Sequence, residues 1–98
     1  MNQDTHAYSI LLVDDEPGIR KVLNITLTHA GFTVWPASDG DAGWQMFSAK
    51  HPDIVITDIK MPGIDGIALL KQIKKASPET EVIMITGHGD MDLAVKSL

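Results

Sequence analysis

Four acids stand where this chain could do chemistry. Asp14, Asp15 and Glu16 follow the apolar run Ile10 to Val13, and Asp58 closes a second run, Ile54 to Thr57. A strand buried on both faces of a parallel sheet reads as such an uninterrupted run, so its charged end marks where the chain meets water. Ligands of open α/β sheets bind at that carboxyl edge. If the two runs are neighbouring strands, Asp14, Asp15 and Asp58 converge. Unscreened, such carboxylates raise one another's pKa, whereas a hard cation turns the repulsion into coordination. Mg²⁺ suits the set, because it takes one or two carboxylates, keeps several waters and shares a phosphoryl ligand. Zinc does not suit it, since the chain has no cysteine and no histidine beside the acids. A lone carboxylate beside Mg²⁺ is also a nucleophile toward phosphorus, and Asp58, alone on its strand end between Thr57 and Lys60, is the candidate. Thr86, ending the run Val82 to Ile85, offers a hydroxyl to a phosphoryl oxygen, and Gly87 and Gly89 let backbone N–H groups approach it.

The elements needed to place these residues alternate between strand-like and helical patterns, the sign of βαβ units around a parallel sheet. A strand over Ser9 to Val13 precedes Pro17 at a first helical position. Ile19, Val22, Leu23, Thr26, Leu27 and Ala30 then recur at helical spacing until Gly31. Phe32 to Pro36 reads as a strand whose proline marks either its end or a position at the sheet edge, where a proline is tolerated. Ser38 or Asp39 caps a helix that carries Gly43, Trp44 and Phe47 inward, with Gly43 permitting a close helix–sheet approach. The third strand, Asp53 to Thr57, ends at Asp58. A loop from Ile59 to Gly66, shaped by Pro62 and two glycines, leads to a helix with Ile67, Leu70 and Ile73 on one face. After Pro78 comes the fourth strand, Val82 to Ile85. A last helix is expected from Asp90 or Met91, with Ala94 and Leu98 four apart.

Composition narrows the class. Of 98 residues, 44% are hydrophobic and 21% charged, which describes one soluble globular domain. The polar N-terminus lacks the pattern of a signal peptide and no apolar run approaches a membrane span, so a cytoplasmic location is expected. The net charge of −5, with scattered Lys and Arg, argues against direct nucleic-acid binding.

Alone, Asp-Asp-Glu is more often a solvated strand end than a metal site. Paired with Asp58, it is more often a site. The histidines are mundane: His29 favours a helix C-terminus, and His6, His51 and His88 read as surface residues.

Together Asp14-Asp15-Glu16, Asp58-Ile-Lys-Met-Pro62 with Gly66, Thr86-Gly87 and the β/α alternation resemble the receiver domain of two-component response regulators. Thr86 to Asp90 is similar to receivers of nitrogen-regulation-type transcriptional activators. The resemblance implies a flavodoxin-like, doubly wound parallel sheet of order 2-1-3-4, with the fifth strand and fifth helix missing and the chain ending within the fourth helix. It implies Asp58 as phosphoacceptor and Mg²⁺ held by Asp15, Asp58, the Lys60 carbonyl and, largely through water, Asp14. Thr86 and the backbone of Gly87 and Ile59 would contact the phosphoryl group. A fifth-strand Lys and an aromatic switch residue of the family have no counterpart here, and Lys96 is expected on the helix after the fourth strand, not at the carboxyl end of a fifth.

The implied partners are a sensor histidine kinase and an output domain of the parent polypeptide, transcriptional by the subfamily resemblance. Nucleic acid and membrane are not direct partners. An unprotected fourth-strand edge would favour homodimers, domain swapping or poor stability. The implied chemistry is self-phosphotransfer and slow dephosphorylation, not enzymatic turnover. The alternatives are a receiver-like interaction module indifferent to phosphate and, further off, a Mg²⁺-dependent aspartyl-phosphate hydrolase. The hydrolase wants an aspartate where Lys60 stands.

Overall fold

The computed structural model describes residues 7–86 and 94–97. Strands β1 (Ser9–Val13), β2 (Thr33–Ala37), β3 (Ile54–Asp58) and β4 (Glu81–Thr86) alternate with helices α1 (Pro17–His29), α2 (Gly40–Lys50) and α3 (Gly66–Ala76), and β5 (Ala94–Ser97) follows. The sheet order is β2-β1-β3-β4-β5, parallel through β4. This is the expected doubly wound arrangement. At its amino edge the β1–β3 register is pinned where Asp53 Oδ2 accepts from the Ser9 backbone N–H at 2.8 Å and from its hydroxyl at 3.1 Å.

Each strand's alternation divides the sheet's two faces. Leu11, Val13, Val55, Val82 and Met84 join Phe47, Leu69, Leu70 and Ile73 in the core beneath α2 and α3. Gly43 does what its position implied: a Cβ there would lie 2.9 Å from Val13 Cγ2, so only a glycine lets α2 come this close. Asp39 caps α2 by accepting from Ala42 N at 2.8 Å. Pro36 sits on an edge strand, paired on one side only, as its missing N–H requires.

The opposite face is thinly covered. α1 packs on β1 and β2 but has no buried residue, and Ile19, Val22 and Ile25 are exposed. The helical spacing is real, yet Ile19 and Val22 of that stripe face water. Only Leu23, Asn24 and Leu27 beyond the first turn are half-buried. On the same side of the sheet, Ile54, Ile56, Ile83 and Ile85 are half-buried as well. In α3, Ile67 is exposed and Leu69 joins Leu70 and Ile73 inside, a one-position shift of the expected face.

The chain's last described segment corrects two expectations. Residues 94–97 form a strand, not part of a fourth helix, and pair antiparallel with β4, Thr86 opposite Ala94 and Ile83 opposite Ser97, so Lys96 lies on a strand opposite Met84 and not on the helix expected for it. β4 is therefore not the free edge that was expected to mediate dimers or swapping. A spacing supported by two residues, Ala94 and Leu98, is a weak helical signal against the costly first turn. An edge strand offers a row of unpaired N–H and C=O groups that a short segment satisfies at once. The start of the expected helix, at Asp90 or Met91, lies outside the described residues.

Candidate metal and phosphoacceptor site

The parallel β1–β3 pairing places Val13 beside Thr57, so the residues that follow each strand emerge together at the carboxyl edge. Carboxylate oxygens of Asp14, Asp15 and Asp58 all lie within 4.8 Å of one another. Asp14 and Asp58 are buried, 4% and 6% exposed, which is unusual for charged side chains.

Local structure holds each one. The Asp14 backbone N–H donates to the Ala37 carbonyl at 3.1 Å, extending the β1–β2 ladder one residue past the strand. Its carboxylate Oδ1 accepts from Glu16 N at 2.9 Å. Burial pushes the Asp14 carboxyl above its usual range; the Glu16 N–H opposes this, and the charges of Asp58, Asp15 and Glu16 add to it. Asp15 Oδ1 is buried with no hydrogen-bond partner. A buried carboxylate oxygen left without a donor is costly, and a cation bound among these oxygens would remove the cost. The three acids thus fit a hard divalent ion by donor type, proximity and the orphaned oxygen.

Asp58 is set from behind. Gly66 opens α3 directly against it: a Cβ on Gly66 would overlap the Asp58 carbonyl oxygen and stand 2.9 Å from Ile59 Cα. Gly66 N also donates to the Ile59 carbonyl at 2.8 Å, closing the loop from Ile59 to Asp65. The Thr57 hydroxyl donates to the Asp58 carbonyl at 3.0 Å, and Asp65 caps α3 through Ala68 N at 2.9 Å.

The other expected residues fall as follows. Ile59 is half-buried and its carbonyl is engaged by Gly66, while Lys60 is exposed in the loop after the acceptor. Thr86 ends β4, one residue beyond Ile85, which pairs with Asp58, so its backbone borders the site. Gly87, His88 and Gly89 lie outside the described residues. Sequence reasoning passed over Arg20, whose Nη1 donates to the Asp14 carbonyl at 2.6 Å. A signal existed: a cation near a helix N-terminus opposes the macrodipole and implies another partner. Gly40, whose Cα packs against the Ile64 carbonyl, was also missed.

Comparison with known proteins agrees with this geometry. A family model described as response regulator receiver domain matches residues 10–98. The C4-dicarboxylate transport transcriptional regulatory protein DctD of Rhizobium meliloti is 41% identical over 92 residues, covering 94% of this chain and 20% of that protein. The DNA-binding transcriptional regulator NtrC of Escherichia coli is 43% identical over 88 residues, covering 90% of this chain and 19% of that protein. The chain thus spans about one fifth of the length of these relatives. Among solved structures, the response regulator TrrA of Thermotoga maritima in complex with Mg²⁺-BeF superposes with a TM-score of 0.79 at 35% identity, covering 84% of this chain and 71% of that one.

Proposed function

This chain belongs to the response regulator receiver domain family, and from that membership and its converging carboxylates we propose that it is a phosphoacceptor signalling module. The carrying observation is the meeting of Asp14, Asp15 and Asp58 at the ends of adjacent parallel strands, with one buried oxygen of Asp15 unpartnered. Asp58 is the acceptor. Asp15, Asp58 and the Lys60 carbonyl would hold Mg²⁺, with Asp14 acting largely through water. Bound Mg²⁺ supplies charge neutralisation at the phosphoryl oxygens.

In the transfer, an Asp58 carboxylate oxygen forms a bond to phosphorus in line with the departing group. The bond from phosphorus to that group breaks, and its electron pair leaves with it. Gly66 and Thr57 fix the Asp58 backbone, so the attacking carboxylate is oriented before the donor arrives. Thr86, on the neighbouring strand end, supplies its hydroxyl to the added phosphoryl group, and the backbone of Ile59 and Gly87 completes the contacts. The added charge then reorganises the β4 side of the domain.

The donor is a sensor histidine kinase and the reader is an output domain of the parent polypeptide, transcriptional by analogy with NtrC and DctD. The protein works in the cytoplasm, where those partners meet. No described helix is long and apolar enough to cross a membrane. Its chemistry is confined to its own Asp58 and the slow hydrolysis of that acyl phosphate, with no enzymatic turnover. Intact-mass measurement after incubation with a small acyl-phosphate donor tests this. A gain of one phosphoryl group that requires Mg²⁺ and disappears in Asp58→Asn is expected; no gain overturns the reading.

A further inference from the structure

We propose that Arg20 is a positioning residue for the metal site, tying α1 back to the β1–α1 turn so that the Asp15 carboxylate stays directed into the site. The proposal rests on the metal-site reading above. Three observations carry it.

The first is the bond itself. Arg20 Nη1 reaches back from α1 to the Asp14 carbonyl at 2.6 Å, while Arg20 N donates to the Glu16 carbonyl at 2.9 Å. The residue therefore holds both ends of the Asp14–Glu16 turn, one with a charged donor and one with its backbone. Charge-assisted bonds of this kind are the stronger class.

The second is how little else holds the turn to α1. Glu16 makes no side-chain cap bond, and α1 buries no residue against the sheet. Besides the first helical hydrogen bond, the connection leans on the Asp14 carboxylate, which accepts from Glu16 N at 2.9 Å, and on Arg20.

The third is the strain the turn resists. Asp15 Oδ1 is buried without a partner, beside two further carboxylates. In the absence of an ion, repulsion and desolvation both favour rotation of Asp15 out to water. The bond to the Asp14 carbonyl holds the Asp14–Asp15 peptide, whose orientation sets the direction in which the Asp15 side chain leaves the backbone, so Arg20 preorganises the ligand.

Electrostatics and positioning predict opposite signs, which makes the role testable. A guanidinium beside a cation site repels the cation, so by charge alone its removal tightens Mg²⁺ binding. By positioning, removal loosens it. Residues that orient metal ligands typically change affinity by about tenfold or more when lost. The experiment is a calorimetric titration of MgCl₂ at fixed ionic strength into the wild-type protein, Arg20→Met and Asp15→Asn.

Arg20→Met is expected to bind Mg²⁺ about tenfold more weakly. The Mg²⁺ concentration for half-maximal phosphorylation should rise by the same factor, with the rate at saturating Mg²⁺ changed by less than about twofold. Unchanged or tighter binding in Arg20→Met overturns the role of Arg20. If that variant does not fold, Arg20→Gln is read by the same criterion. A wild-type protein without saturable, Asp15-dependent binding overturns the metal-site reading itself, a distinct result.

Discussion

The α-carbon of Gly66 packs directly on the main-chain carbonyl of Asp58, so closely that a side chain on Gly66 has no room. The first residue of α3 thereby sets the backbone of the residue that carries the chemistry. Gly66→Ala must displace either the helix or the acceptor strand. Overpacking of this kind costs about 1–3 kcal/mol, enough to see in denaturant unfolding. The rate of phosphorylation should fall with it. Wild-type stability and rate in Gly66→Ala would show that the contact is loose.

A second glycine gives a parallel prediction on the core side. In a helix interior alanine is favoured over glycine by about 1 kcal/mol, so Gly43→Ala would stabilise α2 if space allowed. The new Cβ would meet Val13 Cγ2 at 2.9 Å, and Val13 is fully buried. Net destabilisation is expected, with part of the loss recovered in the double variant Gly43→Ala with Val13→Ala, measured as a double-mutant cycle.

Asp14 links pH to stability. Its carboxyl is raised in the folded protein, first by burial and then by the surrounding acids, so between the ordinary value of 3.8 and the raised one the folded state binds more protons than the unfolded state. Stability of the metal-free protein therefore falls as pH rises through that window, and the loss is complete above it. Asp14→Asn keeps an acceptor for Glu16 N and removes the charge. It should melt higher than wild type at neutral pH without metal, and lose this part of the pH dependence. A lower melting temperature would mean that the Asp14 charge is compensated.

The thinly covered sheet face has its own consequence. Val22 and Ile25 are exposed on α1, and Ile54, Ile56, Ile83 and Ile85 are half-buried on the sheet face that carries α1. Apolar surface left open on one face favours association. Sedimentation equilibrium should find the chain self-associating with rising concentration. Val22→Glu with Ile25→Lys should weaken association while changing unfolding by no more than about 0.5 kcal/mol per site. A stable monomer with two-state melting would contradict this.

The acidic site was legible because its residues end strands: the runs before Asp14 and Asp58 fix the edge at which they meet, whereas their burial, 4% and 6% exposed where the pattern implied contact with water, comes from the packing of the loops around them. Gly43 was legible because it breaks a local rule in a way that one structural position resolves, whereas Asp39 and Pro36 were each one of two readings between which tertiary structure decides. The face of α1 was not, since periodicity shows that Ile19 and Val22 share a helix stripe but not whether anything covers it. The strand at Ala94–Ser97 was hidden for a related reason: its pairing depends on the open edge of β4, a tertiary property. Arg20 escaped because its partner is a backbone carbonyl, which the sequence does not name; the cation at a helix N-terminus signals only that some partner exists.

The most direct test locates the phosphoryl group. After incubation with Mg²⁺ and an acyl-phosphate donor, borohydride reduction of the acyl phosphate followed by peptide mass spectrometry identifies the modified residue. Modification at Asp58 alone, requiring Mg²⁺ and strongly reduced in Asp15→Asn, is the predicted result. Modification elsewhere, or none at Asp58 under conditions where the fold is intact, would contradict the account.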